Sequence, residues 1–205
     1  MILPDRLTVG QQFLVLKIGV RFPVGQQNRL KTQVYTKSVY TPESFYKEAG
    51  ALVNTFNAFV EKFSLLETAL PDHICFKCDS NKVYEDTRAM LESESEFIHQ
   101  SYISGRRIAI LKLKKAFKTS LGPITVLELS DQKINNSQKN GFDHIEIYSA
   151  EGTHNEFVKM VEEKGVPLNK IARPHHTTYD IKLEGGFNIK LTEEPVLEKI
   201  KRDEM

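Results

Sequence analysis

The sequence predicts an α/β (α+β) fold in which two βαβββ modules pair and an extra N-terminal helix precedes them. The tripeptide Asp-His-Ile occurs twice, at residues 72–74 and 143–145, about 70 residues apart, which is the size of one supersecondary unit. Each copy opens an apolar, strand-like run that is followed by a helix signal and then by more strand patterns. Two such units paired face to face would bring their histidines together, and converging histidines indicate a metal site.

Length and composition favour one compact domain. The chain has 205 residues, with 40% hydrophobic and 27% charged residues, which is ordinary for a globular protein. A net charge of +1 argues against a nucleic-acid partner. No run approaches the roughly 18 apolar residues that a membrane helix needs, so no membrane partner is expected. Cys75 and Cys78 do not make a disulfide framework, which favours a reducing, cytoplasmic location.

Residues 1–40 differ from the domain predicted at 41–205. They contain six basic residues and one acidic residue, and glycine and proline interrupt their apolar run. We expect a poorly ordered extension. A basic, acid-poor start is also typical of transit peptides, but the run FLVLKIGVRFPV does not make the amphipathic helix that such a signal needs.

The first helix is predicted from Thr41 to about Lys62. Thr41 suits the N-cap and Pro42 suits the first helical position. Apolar residues from Phe45 to Phe63 recur at helical spacing and predict a buried aromatic stripe.

Module one is predicted at residues 71–130. It begins with a strand at 72–78, and Ser80 or Asn81 caps the helix that follows at about 82–93. Glycine turns then separate three strands, near residues 96–103, 107–117 and 124–129.

Module two is predicted at residues 141–192, after a polar linker at 131–140. It begins with a strand at 143–148, and Thr153 with Glu156 forms a capping box for the next helix. The remaining strands are a short or irregular one around 168–173 and two that Gly185–Gly186 joins as a hairpin, 177–183 and 187–191.

Strand alternation separates the core residues from the polar ones. In the strand at 72–78, Ile74 and Phe76 face the helix, and His73 and Cys75 face away. The side chain of Cys78 points to the other face of the strand from that of Cys75, so this C-x-x-C pair is not expected to share a metal. The faces that point away from the helices collect the following polar residues and predict a polar cup: His73, Glu128, His144, Glu146, Tyr148 and Lys190.

The blocks DHICFKC, GRRIAILKL, ITVLELSD, FDHIEIYS and GFNIKL, in this order and spacing, resemble the YecM family from about Thr41 to the C-terminus. This family belongs to the vicinal-oxygen-chelate superfamily, with glyoxalase I, fosfomycin-resistance enzymes and extradiol dioxygenases. The resemblance implies one divalent metal, bound by the first and fourth strands of each module. The matching positions are His73, Glu128 and His144. The last position falls near Lys190, where many superfamily members have glutamate, and a protonated lysine cannot bind a metal.

Two imidazoles and one carboxylate are the ligands of a facial triad, which suits Fe and also Mn, Ni, Zn or Co. Glu146 could replace Glu128 as the carboxylate, because it lies on the same face as His144. Asp72 and Asp143 either begin their strands as turn residues or orient the neighbouring imidazoles.

We expect a metal-dependent isomerase, lyase or dioxygenase that acts on a small oxygen-rich substrate. Glu146 could act as a base, and Lys190 could stabilise an oxyanion. A non-catalytic metal- or ligand-binding protein of the same fold is the alternative that Lys190 favours, and a purely structural partner module is a third. His175 and His176 are expected in a loop that could face the cup.

Overall fold

The computed structural model of the chain describes residues 40–172 and 177–204. The expectations for residues 1–39 and for His175 and His176 lie outside these described residues. The helices and strands are, in chain order, α1 (Pro42–Lys62), β1 (Ala69–Lys77), α2 (Asn81–Leu91), β2 (Ser95–Ile103), β3 (Arg106–Thr119), β4 (Gly122–Ser130), β5 (Gly141–Ser149), α3 (His154–Glu163), β6 (Asn169–Ala172), β7 (Thr177–Lys182), β8 (Asn188–Leu191) and α4 (Val196–Asp203).

The strands of the described residues form one sheet in the order β2-β3-β4-β1-β5-β8-β7-β6. In each module the first strand pairs in parallel with the fourth, as β1 with β4 and β5 with β8. The modules join where β1 and β5 pair antiparallel. The predicted pair of βαβββ modules is therefore confirmed, and both first strands lie at the centre of the sheet.

Helix α1 begins and ends as predicted, at Pro42 and Lys62. Thr41 and Ser44 form a capping box at its start. Its apolar stripe packs on one face of the sheet, together with residues of α2 and α3, and this core also contains Ile74 and Phe76 of β1. The predicted inward face of the first strand is thus confirmed, and the opposite face of the sheet remains for the polar residues.

We call that opposite face the cup face, defined by His73, Glu128, His144 and Lys190. In module one it is partly apolar rather than polar throughout, which corrects the prediction. Side chains of β3 and β4 form a second small core there with helix α4 and Ile98 of β2, and its buried members and α4 partners are Ile108, Ile110, Val126, Val196, Leu197 and Ile200.

Sequence reasoning missed α4. The helix has only eight residues, so three apolar residues at positions i, i+1 and i+4 after Pro195 were the available signal. The linker at 131–140 is irregular, as predicted, but Gln138 within it is buried and donates hydrogen bonds to the carbonyls of Cys78, Ser130 and Asp131. No helix in the described ranges is long and apolar enough to cross a bilayer.

Candidate metal centre

The structure brings His73 and His144 together at the junction of the two modules. The register of β1 and β5 places Cys75 opposite His144 and Ile74 opposite Ile145. The two imidazole ring centroids are 6.1 Å apart. Both histidines are buried, at 2% and 1% exposure, so their polar atoms need partners within the protein.

Each imidazole is oriented by the aspartate that precedes it. Nδ1 of His73 donates to Asp72 at 2.8 Å, and Nδ1 of His144 donates to Asp143 at 2.7 Å. Because an ionised carboxylate only accepts hydrogen bonds, the proton lies on Nδ1 and both Nε2 atoms face the centre of the site. Of the two interpretations of these aspartates, the contacts support the orienting role, which is the usual arrangement around metal-binding histidines.

Two carboxylates complete a cluster around the Nε2 atoms. Glu128 of β4 lies opposite Cys75, whose thiol donates to Glu128 Oε1 at 3.2 Å. The other oxygen, Oε2, lies 3.5 Å from His73 Nε2. Glu146 Oε1 lies 3.4 Å from His144 Nε2 and 3.8 Å from His73 Nε2. One ligand atom from each of these four residues lies within 4.8 Å of the others, a spacing that a small adjustment would adapt to bonds of about 2.0–2.2 Å.

The donor set fits a divalent metal. His73 Nε2 is buried and has no hydrogen-bond partner among the described residues. A buried polar atom without a partner costs free energy, and a metal ion would provide one. Glu146 lies as close to the imidazoles as Glu128 does, so the geometry offers both the carboxylate that the resemblance implies, Glu128, and its alternative, Glu146.

Lys190 lies at the position where the resemblance implies a fourth ligand. It lies opposite Glu146 in the register of β5 and β8. Its Nζ is 3.0 Å from His144 Nε2 and 3.5 Å from Glu146 Oε1. Since Nε2 carries the lone pair, the ammonium group donates to the same atom that would bind a metal.

The charges of the cluster stabilise one another. Burial alone would lower the pKa of His73, but the charge of Glu146, the hydrogen bond to Asp72 and the nearby carboxylate of Glu128 outweigh it and raise the pKa to about 10. Nε2 of His73 therefore carries a proton that a bound metal would replace. Burial alone would raise the pKa of Glu128, but the contact of Glu128 Oε2 with His73 Nε2 at 3.5 Å and the nearby positive charges lower it to about 2. Burial would also raise the pKa of Glu146, but the positive charges of His73 and Lys190 lower it. Burial would lower the pKa of Lys190, but the negative charges of Glu146 and Glu128 raise it.

Three contacts around the site carried no sequence signal. The Cys75 thiol holds Glu128, as described above, and burial raises the pKa of this thiol. Lys77 Nζ binds Asp143 at 2.6 Å. The backbone N–H of Val196, at the start of α4, donates to both oxygens of Asp72 at 3.0 and 3.1 Å. Each contact joins segments that are far apart in the chain.

The fold and the site together define a protein of paired βαβββ modules with a candidate centre of two histidines and two glutamates between them. The model of the family described as YecM protein matches residues 42–200, so the chain belongs to the YecM family. This confirms the family that the five sequence blocks indicated. None of the curated proteins matches the chain.

Several solved structures resemble the chain. The structural-genomics protein EC4020 has 21% identity over 80% of this chain and 94% of its own, with a TM-score of 0.61, which shows a shared fold. A methylmalonyl-CoA epimerase has 14% identity, 62% and 95% coverage and a TM-score of 0.41. The fosfomycin resistance protein FosX from Mesorhizobium loti has 12% identity, 63% and 95% coverage and a TM-score of 0.23. These last two TM-scores are too low to carry an argument about this chain.

Proposed function

We propose that this protein is a metal-dependent enzyme of the vicinal-oxygen-chelate type that acts on a small oxygen-rich substrate. His73, Glu128 and His144 would hold a divalent ion such as Fe, Mn, Ni or Zn. The observation that supports this proposal best is the pair of buried imidazoles, each anchored through Nδ1 to its own aspartate. In the described part of the chain, Nε2 of His73 has no hydrogen-bond partner.

A bound ion would supply Lewis acidity to two adjacent oxygens of the substrate. Access to the site is asymmetric. The side chains of His73 and His144 are 3% and 1% exposed, whereas those of Glu128, Glu146 and Lys190 are 19%, 18% and 25% exposed. Solvent and substrate therefore reach the cluster past the carboxylates and the lysine.

The remaining polar groups would bind and orient the substrate and move a proton. Glu146 Oε1 lies 3.4 Å from His144 Nε2 at the accessible side of the cluster, and this position suits a group that accepts a proton from a substrate carbon or oxygen. Lys190 keeps its positive charge and can donate a hydrogen bond to a negatively charged oxygen. These roles are shared by isomerase, lyase and oxygenase reactions, because the fold does not select among them.

Metal analysis of purified protein tests the proposal. We expect near-stoichiometric metal in the wild type and its loss in His73→Ala. The matched control is His99→Ala, since this histidine bonds Glu204 at the surface, away from the cluster. Wild-type protein that stays free of metal after incubation with Fe, Mn, Ni and Zn salts would contradict the proposal.

One observation favours a second function, a ligand-binding protein of the same fold that does not turn over its ligand. The Lys190 ammonium is 3.0 Å from His144 Nε2, which is where a cation would otherwise bind. In this alternative the lysine replaces the metal permanently and the cup holds a small anionic ligand. Metal content again separates the two functions, because the alternative predicts a metal-free wild type.

The location that best suits either function is the reducing cytoplasm. Cys75 and Cys78 both carry thiols and form no disulfide.

A further inference from the structure

Lys190 and a bound metal would compete for one atom. Nδ1 of His144 donates its proton to Asp143, so the ring has a single lone pair, on Nε2. The Lys190 ammonium donates to that lone pair at 3.0 Å. A lone pair that accepts a short hydrogen bond cannot also bind a metal, and two cations a few ångströms apart repel each other strongly in a buried site. Metal binding through His144 therefore requires the ammonium group to move.

Asp180 offers the displaced ammonium a place to bind. This residue of β7 lies directly opposite Lys190 in the antiparallel register of β7 and β8. Opposite residues have Cβ atoms about 4.5–5.5 Å apart, so a lysine side chain can reach its neighbour by changing rotamer. Asp180 Oδ1 is buried and has no hydrogen-bond partner among the described residues. A buried carboxylate oxygen without a partner is unfavourable, and a lysine ammonium would remove that cost.

The balance between these two positions depends on the charge of the cluster. In the metal-free protein the carboxylates of Glu128 and Glu146 attract the ammonium group towards His144, and Glu146 Oε1 lies 3.5 Å from it. A divalent ion would neutralise that attraction and repel the lysine, whereas the charge of Asp180 on the neighbouring strand would remain.

We propose that Lys190 is a built-in competitor for the metal, and that metal binding transfers its ammonium group from His144 to Asp180. This inference rests on the proposed function to the extent that the ion uses His144 as a ligand. Its consequence is a switch in position. With a metal bound, the ammonium group would lie at Asp180 rather than on His144, where its charge would be available to a negatively charged oxygen of the substrate.

Zinc titration in the presence of a competing chelator tests the exchange in four proteins. Lys190→Met should bind Zn²⁺ about 10-fold more tightly than the wild type, because no hydrogen bond has to be broken. Asp180→Asn should bind Zn²⁺ several-fold more weakly, on the order of 3- to 10-fold, because the displaced ammonium loses its partner. In the Lys190→Met background, Asp180→Asn should not change the zinc affinity, because that variant has no ammonium group for Asp180 to bind.

Two controls separate the exchange from general charge effects and from misfolding. Lys182→Met removes an exposed positive charge from the strand that carries Asp180, and it should leave zinc affinity unchanged. Lys190→Gln provides a second variant in case methionine disturbs packing, and thermal unfolding confirms that each variant is folded. A crystal structure with zinc bound should show Lys190 Nζ at hydrogen-bond distance from Asp180.

The outcomes distinguish this inference from the proposed function. If wild-type protein binds zinc but Lys190→Met and Lys190→Gln bind it no more tightly, the exchange is wrong and the metal-dependent function stands. An equal effect of Asp180→Asn in both backgrounds would also overturn the exchange, because it would show simple charge attraction. If only the lysine variants bind zinc, Lys190 competes as proposed, whereas the metal-dependent function of the wild type fails.

Discussion

The two modules position the same dipeptide in the same way but support it differently. In both, the aspartate accepts a hydrogen bond from Nδ1 of the following histidine. Asp72 is buried and also binds the backbone N–H of Val196. Asp143 is partly exposed and binds the ammonium group of Lys77. The two imidazoles are thus oriented in the same way, while a helix terminus supports one aspartate and a partly buried lysine supports the other.

The modules differ more at the next position of the cup face. In module one, Cys75 of β1 lies opposite Glu128 of β4. In module two, Glu146 of β5 lies opposite Lys190 of β8. The carboxylate is thus on the fourth strand of one module and on the first strand of the other, and a cation takes the remaining position. A symmetric scaffold therefore carries an asymmetric charge pattern.

The residues that surround the candidate metal centre also differ between the two modules. Helix α4 covers an apolar part of the cup face in module one, where Ile110 and Val126 pack against Ile200. In module two the neighbours of the site are polar, among them Asp180 and Lys190. The covered half stabilises the site, and the polar half is the side on which a substrate would lie.

The largest expected effect tests which module supplies the metal-binding carboxylate. Glu128→Gln should weaken metal binding by more than about 100-fold, the upper range for changes to groups that merely orient a ligand. Glu146→Gln should cost about 10-fold, as expected for a neighbour that is not a ligand. Chelator competition with Mn²⁺ or Zn²⁺ measures both, and Glu163→Gln on the exposed surface of α3 serves as the control. The reverse order would assign the ligand to module two.

The second prediction concerns the pH dependence of the metal-free protein. The pKa of His73 rises from 6.5 to about 10 on folding, so its contribution to stability is fully present below pH 6.5 and is lost as pH rises through about 10. The pKa of Glu128 falls from 4.5 to about 2, so its contribution is lost as pH falls through that range.

Urea unfolding of protein stripped of metal measures this dependence. The free energy of unfolding of the wild type should fall by a few kcal/mol at most between pH 6.5 and 10, since the cluster residues share these interactions. His73→Gln should remove most of that fall, whereas the surface variant His99→Ala should keep it. An equal slope in wild type and His73→Gln would show that His73 is neutral in the folded protein.

The smallest expected effect compares the two orienting aspartates. Asp72→Asn and Asp143→Asn should each weaken metal binding about 10- to 100-fold, because each leaves its imidazole less firmly oriented. Asp72→Ala should also lower the free energy of unfolding by about 1 kcal/mol more than Asp143→Ala, because alanine removes the oxygen that accepts from the first N–H of α4. Equal stability of the two variants would show that α4 does not depend on this carboxylate.

Most of the fold could be predicted because its signals are local. The capping residues Thr41 and Thr153 and the alternation in the strands at 72–78 and 143–148 are read from neighbouring positions. Helix α4 was not predicted, because its stability comes from packing on β3 and β4 rather than from its own eight residues. The apolar half of the cup face was not predicted for the same reason, since no pattern of neighbouring residues shows which face of a strand a distant helix covers.

The sequence predicted which residues form the candidate site better than it predicted the contacts between them. The repeat predicts that His73 and His144 meet, and the register of β1 with β5 brings them together. Whether Glu128 or Glu146 lies nearer to the imidazoles depends on side-chain rotamers and on Cys75, which holds one oxygen of Glu128. No pattern along the chain contains that information.

The amino-acid sequence alone determined the module architecture, the family and the side chains that share the cup face, because a repeat and a two-residue period are properties of neighbouring positions. Only the tertiary structure decided that Lys190 bonds to His144, that Asp180 Oδ1 has no hydrogen-bond partner among the described residues and that Asp72 caps the start of α4. Those contacts depend on strand register and on distances between residues far apart in the chain, which folding alone sets.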